Sequence, residues 1–156
     1  MGIIIYSNAI YGMEKVMDIK KLTEELKRDE GVVLHAYTDS LGFLTIGVGK
    51  LIDARKGGGI SMEEAEYLLA NDIKRVMNEL DRRLSWFKTQ PDGVQRGLCN
   101  LAFQIGVTGL LGFKTTLMHI ASGNYKEAGR SARQSLWYKQ TKDRAERTIA
   151  LIEAGK

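Results

Sequence analysis

The chain has 156 residues, 44% of them apolar, a single cysteine (Cys99) and a net charge of +4. That length holds one domain with a substantial core, and one cysteine excludes an internal disulfide. From Lys126 to Arg147 seven Lys or Arg stand against three Asp or Glu, which equals the whole excess, so the basic character is local and favours a polyanionic partner such as a bacterial cell wall or nucleic acid.

The opening MGIIIYSNAIYGMEKVM has no basic region before its isoleucine run, and its uncharged part ends at Glu14. It is too short to span a bilayer and reads as neither a cleavable signal nor a stable membrane insertion. Residues 1–17 are expected to form an N-terminal extension to a domain covering 18–156. A first helix is predicted from about Asp18 to Asp29, with Ile19, Leu22 and Leu26 on one stripe and Gly31 as its stop. From Ala36 to Val48 strand-forming residues flank a Ser-Leu-Gly turn, which predicts a hairpin.

This switch from helix to hairpin carries two acids. Glu30 falls at the helix end, where apolar neighbours are expected around it. Asp39 falls near the hairpin tip, closer to water. Two carboxyl groups in unlike surroundings suit glycoside hydrolysis, in which one donates a proton and the other stays ionised.

Beyond the hairpin, DARKGGG from Asp53 to Gly59 reads as a loop. Ser61-Met-Glu-Glu64 has the form of a capping box, and Met62, Ala65, Leu69, Ile73, Val76 and Leu80 repeat at helical spacing behind it. Another helix begins at Pro91-Asp92, turns Val94, Leu98, Leu101, Ala102 and Ile105 inward, and ends at Gly106. A short turn or helix over Thr108–Phe113, a helix over Thr115–Ala121, and a basic helix from after Gly123-Asn124 to about Ser135 follow. A last helix is predicted from near Asp143, with Ala145, Ile149 and Ile152 on one side. His35 and His119 lie apart with no Cys or carboxylate at ligand spacing, so no metal site is expected. The glycines of TIGVGK do not complete a phosphate loop, and Cys99 reads as core.

Three blocks occur in order: R-D-E-G, A-Y-x-D-S-x-G and T-I-G-V-G between Arg28 and Gly49; NLAFQIGVTGLLGF from Asn100 to Phe113; and SLWYKQTKDRAER from Ser135 to Arg147. Together they resemble the phage-type lysozymes, especially those of T-even bacteriophages, over roughly Asp18 to Ala154. The resemblance implies a mostly helical, two-lobed α+β fold. It has a small β-hairpin lobe over about 30–60, a long connecting helix over about 61–80 and a helical lobe over about 81–156, with the active cleft between the lobes. The loop after Asp53 is shorter than in the T-even relative, so the small lobe is expected to be trimmed.

The implied activity is hydrolysis of the β-1,4 bond between N-acetylmuramic acid and N-acetylglucosamine in bacterial peptidoglycan, without a cofactor. Glu30 would be the general acid. Asp39 would position or deprotonate water in an inverting reaction, and Thr45 would help to hold that water. Gln104 and Phe113 match substrate-cleft positions, Arg144 matches a residue that pairs with the catalytic Glu, and Trp137 matches a packed tryptophan. Lys50 departs from the family, which commonly has His there paired with an Asp on the long helix; Asp72 holds that second place. A Lys50–Asp72 pair would keep the charges and lose the titration near pH 6–7. As an endolysin the protein would act as a monomer, be made in the host cytoplasm, depend on a holin for export, and attack the wall from the periplasm. A lytic transglycosylase is the nearer alternative, which Asp39 and Thr45 argue against. A non-catalytic wall-binding descendant is another, and a basic nucleic-acid-binding module leaves Glu30 and Asp39 unexplained.

Overall fold

The computed structural model describes residues 17–53 and 59–156. The expected N-terminal extension, apart from residue 17, and residues 54–58 of the glycine loop lie outside the described residues. Contacts divide the chain into a first unit ending at Ser61 and a second from Met62 to Lys156. The fold is α+β, with a small antiparallel sheet in the first unit and helices making up the second.

In the first unit, α1 spans Ile19–Glu30, and the Asp18 side chain caps it by accepting from the Lys21 N–H at 3.0 Å. Gly31 ends it at φ 74°, a conformation that glycine adopts without a Cβ clash. Three strands follow, β1 (Val33–Thr38), β2 (Leu44–Gly47) and β3 (Lys50–Asp53), paired antiparallel in the order β1-β2-β3. Tyr37 and Leu51 both lie opposite Thr45, the central residue of the sheet. The expected hairpin is therefore extended by a third strand. Gly47 (φ 69°) and Gly49 (φ 66°) bracket the Val48 turn that reverses the chain, and Lys50, Leu51 and Asp53 then pair back onto Ile46, Thr45 and Leu44 of β2.

The second unit opens with α2 (Met62–Arg83), followed by a 3-10 turn at Phe87–Thr89. Helices α3 (Asp92–Leu111), α4 (Lys114–Ala121), α5 (Tyr125–Ala132) and α6 (Leu136–Ala154) complete it. The core forms around α3: Val94, Leu98, Leu101 and Ala102 pack with Leu80, Leu84, Phe87, Ile120, Ala128, Trp137, Ala145, Ile149 and Ile152. Along α2 only Leu80 is fully buried; Leu69 and Ile73 remain exposed, so the predicted stripe is used chiefly at its C-terminal end.

Two of these helices carry an internal break, and one start differs from the sequence reading. Gly106 (φ 76°, ψ 158°) is non-helical and breaks α3 at the expected helix end, and the segment after it is helical, in keeping with the turn or short helix expected there. The last helix starts at Leu136, where the Ser135 hydroxyl accepts from the Tyr138 N–H at 3.1 Å. A non-helical Thr141 (φ −131°) interrupts it, which explains why the regular apolar pattern begins only near Asp143.

Helices α3 and α6 meet closely because Gly97 has no side chain: a Cβ there would lie 2.7 Å from Ile152 Cγ1 and 3.3 Å from the Thr148 carbonyl oxygen. Helices α5 and α6 are tied by Arg133, whose guanidinium donates to Glu146 (3.0 and 2.9 Å) and to Glu153. The Tyr138 hydroxyl donates to the same Glu146 carboxylate at 2.7 Å. Gly129 leaves room for Glu153, whose carboxylate would collide with a Cβ at that position. Hydrogen bonding from Arg133, and then from Tyr138, holds the Glu146 carboxyl down to about 2. The same hydrogen bond raises the Tyr138 hydroxyl above its ordinary value.

Two outcomes are expected. Gly97→Ala forces α3 and α6 apart and lowers unfolding free energy by about 1–3 kcal/mol in urea denaturation. Because Glu146 binds its proton more weakly folded than unfolded, its stabilisation is complete above the ordinary carboxylate range and is lost as pH falls toward about 2. The drop in Tm between pH 5 and 2, followed by circular dichroism, should therefore be shallower in Glu146→Gln, which starts from a lower Tm at pH 7.

Candidate active site

Glu30 is the last residue of α1, so its side chain leaves the helix where the chain turns into the sheet. It is exposed, in contrast to the apolar packing expected from its neighbours in sequence. The physical reason is that α1 buries none of its residues, and the Glu30 carboxylate lies over the backbone of the β2–β3 turn. A Cβ built on Gly49 would stand 3.0 Å from Glu30 Oε2, 3.4 Å from Cδ and 3.7 Å from Cγ.

Asp39 follows β1 and is half-buried, more enclosed than Glu30, which reverses the expected order of exposure. Its Oδ1 accepts from the N–H groups of Leu41 (2.9 Å) and Phe43 (2.8 Å). Its own N–H donates to the Phe43 carbonyl at 2.8 Å. The Asp-Ser-Leu-Gly sequence thus folds as a turn closed by its first side chain, as the short side chain of Asp permits. Thr45 is buried in β2, and its hydroxyl donates to the same Phe43 carbonyl at 3.3 Å. Both backbone groups of one residue, Phe43, therefore hold Asp39, and the Phe43 carbonyl also holds Thr45. Among the described residues the hydrogen bonds to the Asp39 carboxylate fall on Oδ1, which leaves Oδ2 for a further ligand.

The second unit groups Gln104 and Phe113 around Trp137. Gln104 Oε1 accepts from the Trp137 indole N–H at 3.1 Å, while its Nε2 donates to Asn100 Oδ1 at 2.9 Å. The Phe113 ring meets Trp137 edge to face, with centroids 6.1 Å apart. Trp137 is buried, as its reading as a core aromatic implies. Arg144 is exposed and lines an open pocket of about 480 Å³ with Arg96, Cys99, Asn100, Phe103 and Leu69. Burial raises the Cys99 thiol above its ordinary value, which favours the thiol over the thiolate. Asp72 pairs with Arg75 one turn along α2 at 2.6 Å, and Lys50 begins β3.

The expected site residues thus fall in two groups. Glu30, Asp39, Thr45 and Lys50 belong to the first unit; Asp72, Gln104, Phe113 and Arg144 belong to the second. Sequence reasoning missed Gly49 and the backbone of Phe43, because neither acts through a side chain that performs chemistry. The signal for Gly49 was its place in a Gly-Val-Gly run ahead of an alternating segment.

The phage lysozyme family profile matches residues 27–151. The chain is 35% identical over 125 residues to the endolysin of Salmonella phage P22, covering 76% of this chain and 81% of that protein. It is 28% identical to probable T4-type lysozyme 1 of Dictyostelium discoideum, over 88% of this chain and 96% of the relative. It is also 33% identical to the pre-baseplate central spike protein Gp5 of Enterobacteria phage T4, over 86% of this chain and only 28% of that protein's length. The match spans most of the chain, including Glu30, Asp39 and Thr45, and the chain belongs to the phage lysozyme family.

Proposed function

We propose that this peptidoglycan hydrolase of the lysozyme type cleaves the β-1,4 bond between N-acetylmuramic acid and N-acetylglucosamine by direct attack of water. Glu30 protonates the leaving glycosidic oxygen. Asp39 orients the water through Oδ2 and takes its proton, and Thr45 assists in holding that water. The water's oxygen forms the new bond to the anomeric carbon as the glycosidic bond breaks, so the configuration inverts. An inverting reaction needs roughly 6.5–9.5 Å between the carboxyl groups to admit the water. No cofactor enters this scheme, since an acid and a base suffice.

The observation that carries the reading is the use of one Asp39 oxygen by the hairpin. A base that must aim water at carbon needs a fixed orientation, and two N–H donors on Oδ1 supply it. Gln104 and Phe113, held by Trp137, are read as sugar-contacting groups on the helical unit. Arg144 is read as the cation that complements Glu30, with Lys50 and Asp72 as supporting charges. The domain is read as residues 18–156, monomeric and acting on the bacterial wall. The P22 relative is named an endolysin, and a role in cell lysis, with holin-dependent release, is carried over from that setting.

With purified peptidoglycan, wild type should generate new reducing muramic acid ends detectable by mass spectrometry, and Glu30→Gln should lose about 10²–10⁴ of the rate while staying folded. Substantial cleavage by Glu30→Gln would remove Glu30 from the acid's role, and anhydro products would move the enzyme to the transglycosylases. Asp39→Asn and Asp39→Ala should both lose activity, for different reasons. Hydrogen exchange at the Leu41 and Phe43 amides should quicken in the Ala variant and stay near wild type in Asn, whose side-chain oxygen still closes the turn. Equal exchange in both variants would contradict the turn-closing role of Oδ1.

A further inference from the structure

The glycines of the Thr-Ile-Gly-Val-Gly run have closely matched φ angles and unlike surroundings. Gly47 has φ 69° and a Cβ there would meet nothing within 4 Å. Gly49 has φ 66°, and a Cβ there would press on the end of the Glu30 side chain, 3.0 Å from Oε2. The left-handed conformation explains why both positions favour glycine. It does not explain why Gly49 lies directly beneath a carboxylate.

We propose that Gly49 is a positioning residue for the general acid: its missing Cβ opens the seat in which the Glu30 carboxylate rests. This rests on the reading of Glu30 as the proton donor. The Glu30 side chain is exposed and ends a helix that buries nothing, so few other contacts fix it. The turn beneath it, by contrast, belongs to the paired β2 and β3 strands, through Ile46 and Lys50. When a Cβ is added at Gly49, the flexible carboxylate yields before the backbone does. The cost therefore falls on the alignment of the acid with the leaving oxygen, and proton transfer depends on that alignment. Backbone strain is common to both glycines, so Gly47 is a matched control for it.

The test compares wild type, Gly47→Ala, Gly49→Ala and Glu30→Gln on soluble peptidoglycan oligosaccharides, with Tm measured for each. Gly47→Ala and Gly49→Ala should lose similar Tm. Gly49→Ala should lower kcat about tenfold or more with KM within about threefold and shift the alkaline limb of its pH–rate profile, while Gly47→Ala keeps kcat within about threefold. If alanine at either position prevents folding, Gly47→Asn and Gly49→Asn are used, since Asn tolerates the left-handed backbone and still brings a Cβ. Equal kcat and pH profiles for the two glycine variants, with Glu30→Gln inactive, would overturn the seat while leaving Glu30 as the acid. Activity retained by Glu30→Gln would overturn both.

Discussion

The backbone of Phe43 is the constraint on which the hairpin tip depends. Its N–H and carbonyl both bond to Asp39, and its carbonyl also accepts from Thr45. A turn closed only by backbone bonds would leave the Asp39 side chain free to rotate. Here the side chain is part of the closure, so forming the hairpin also fixes one carboxylate oxygen. Thr45, at the centre of the three strands, is anchored to the same carbonyl. Folding and preorganisation are the same event at this position.

The helical unit supplies a different kind of rigidity. Its core is continuous from Leu80 through α3 to Ile152, and Gly97 allows α3 and α6 to approach more closely than any larger residue would permit. Trp137 belongs to that core, yet its indole N–H must find an acceptor when buried. Gln104 provides the acceptor, and Phe113 closes on the ring edge. Gln104 and Phe113 are thereby set in place by a third residue that is buried. The Arg133 pairing with Glu146 and Glu153 locks the outer helices, and sits within the basic stretch from Lys126 to Arg147.

Much of this architecture was legible because it follows hydrophobic periodicity. The inward positions Val94, Leu98, Leu101 and Ala102, and later Ala145, Ile149 and Ile152, are buried as their spacing demands. The helix–hairpin switch was legible from Gly31 and the strand-forming run. The third strand was not, because Gly47 and Gly49 interrupt the alternation that identifies a strand, although together they build the turn leading to it. The start of α6 was obscured by Thr141, whose extended φ breaks the helical repeat. Glu30 and Asp39 were found as chemical types in a familiar spacing. Their environments were inferred from sequence neighbours, and the turn glycine beneath Glu30 and the N–H groups around Asp39 lie beyond what neighbours reveal.

The central claim is that Asp39, held by the hairpin, delivers water directly to the anomeric carbon. The most direct measurement is proton NMR of the first products from a soluble peptidoglycan oligosaccharide, read before mutarotation. Direct delivery yields a new α-anomeric reducing end from the β-linkage. A β-anomeric product would show retention and a covalent or equivalent two-step route, and would contradict the role assigned to Asp39.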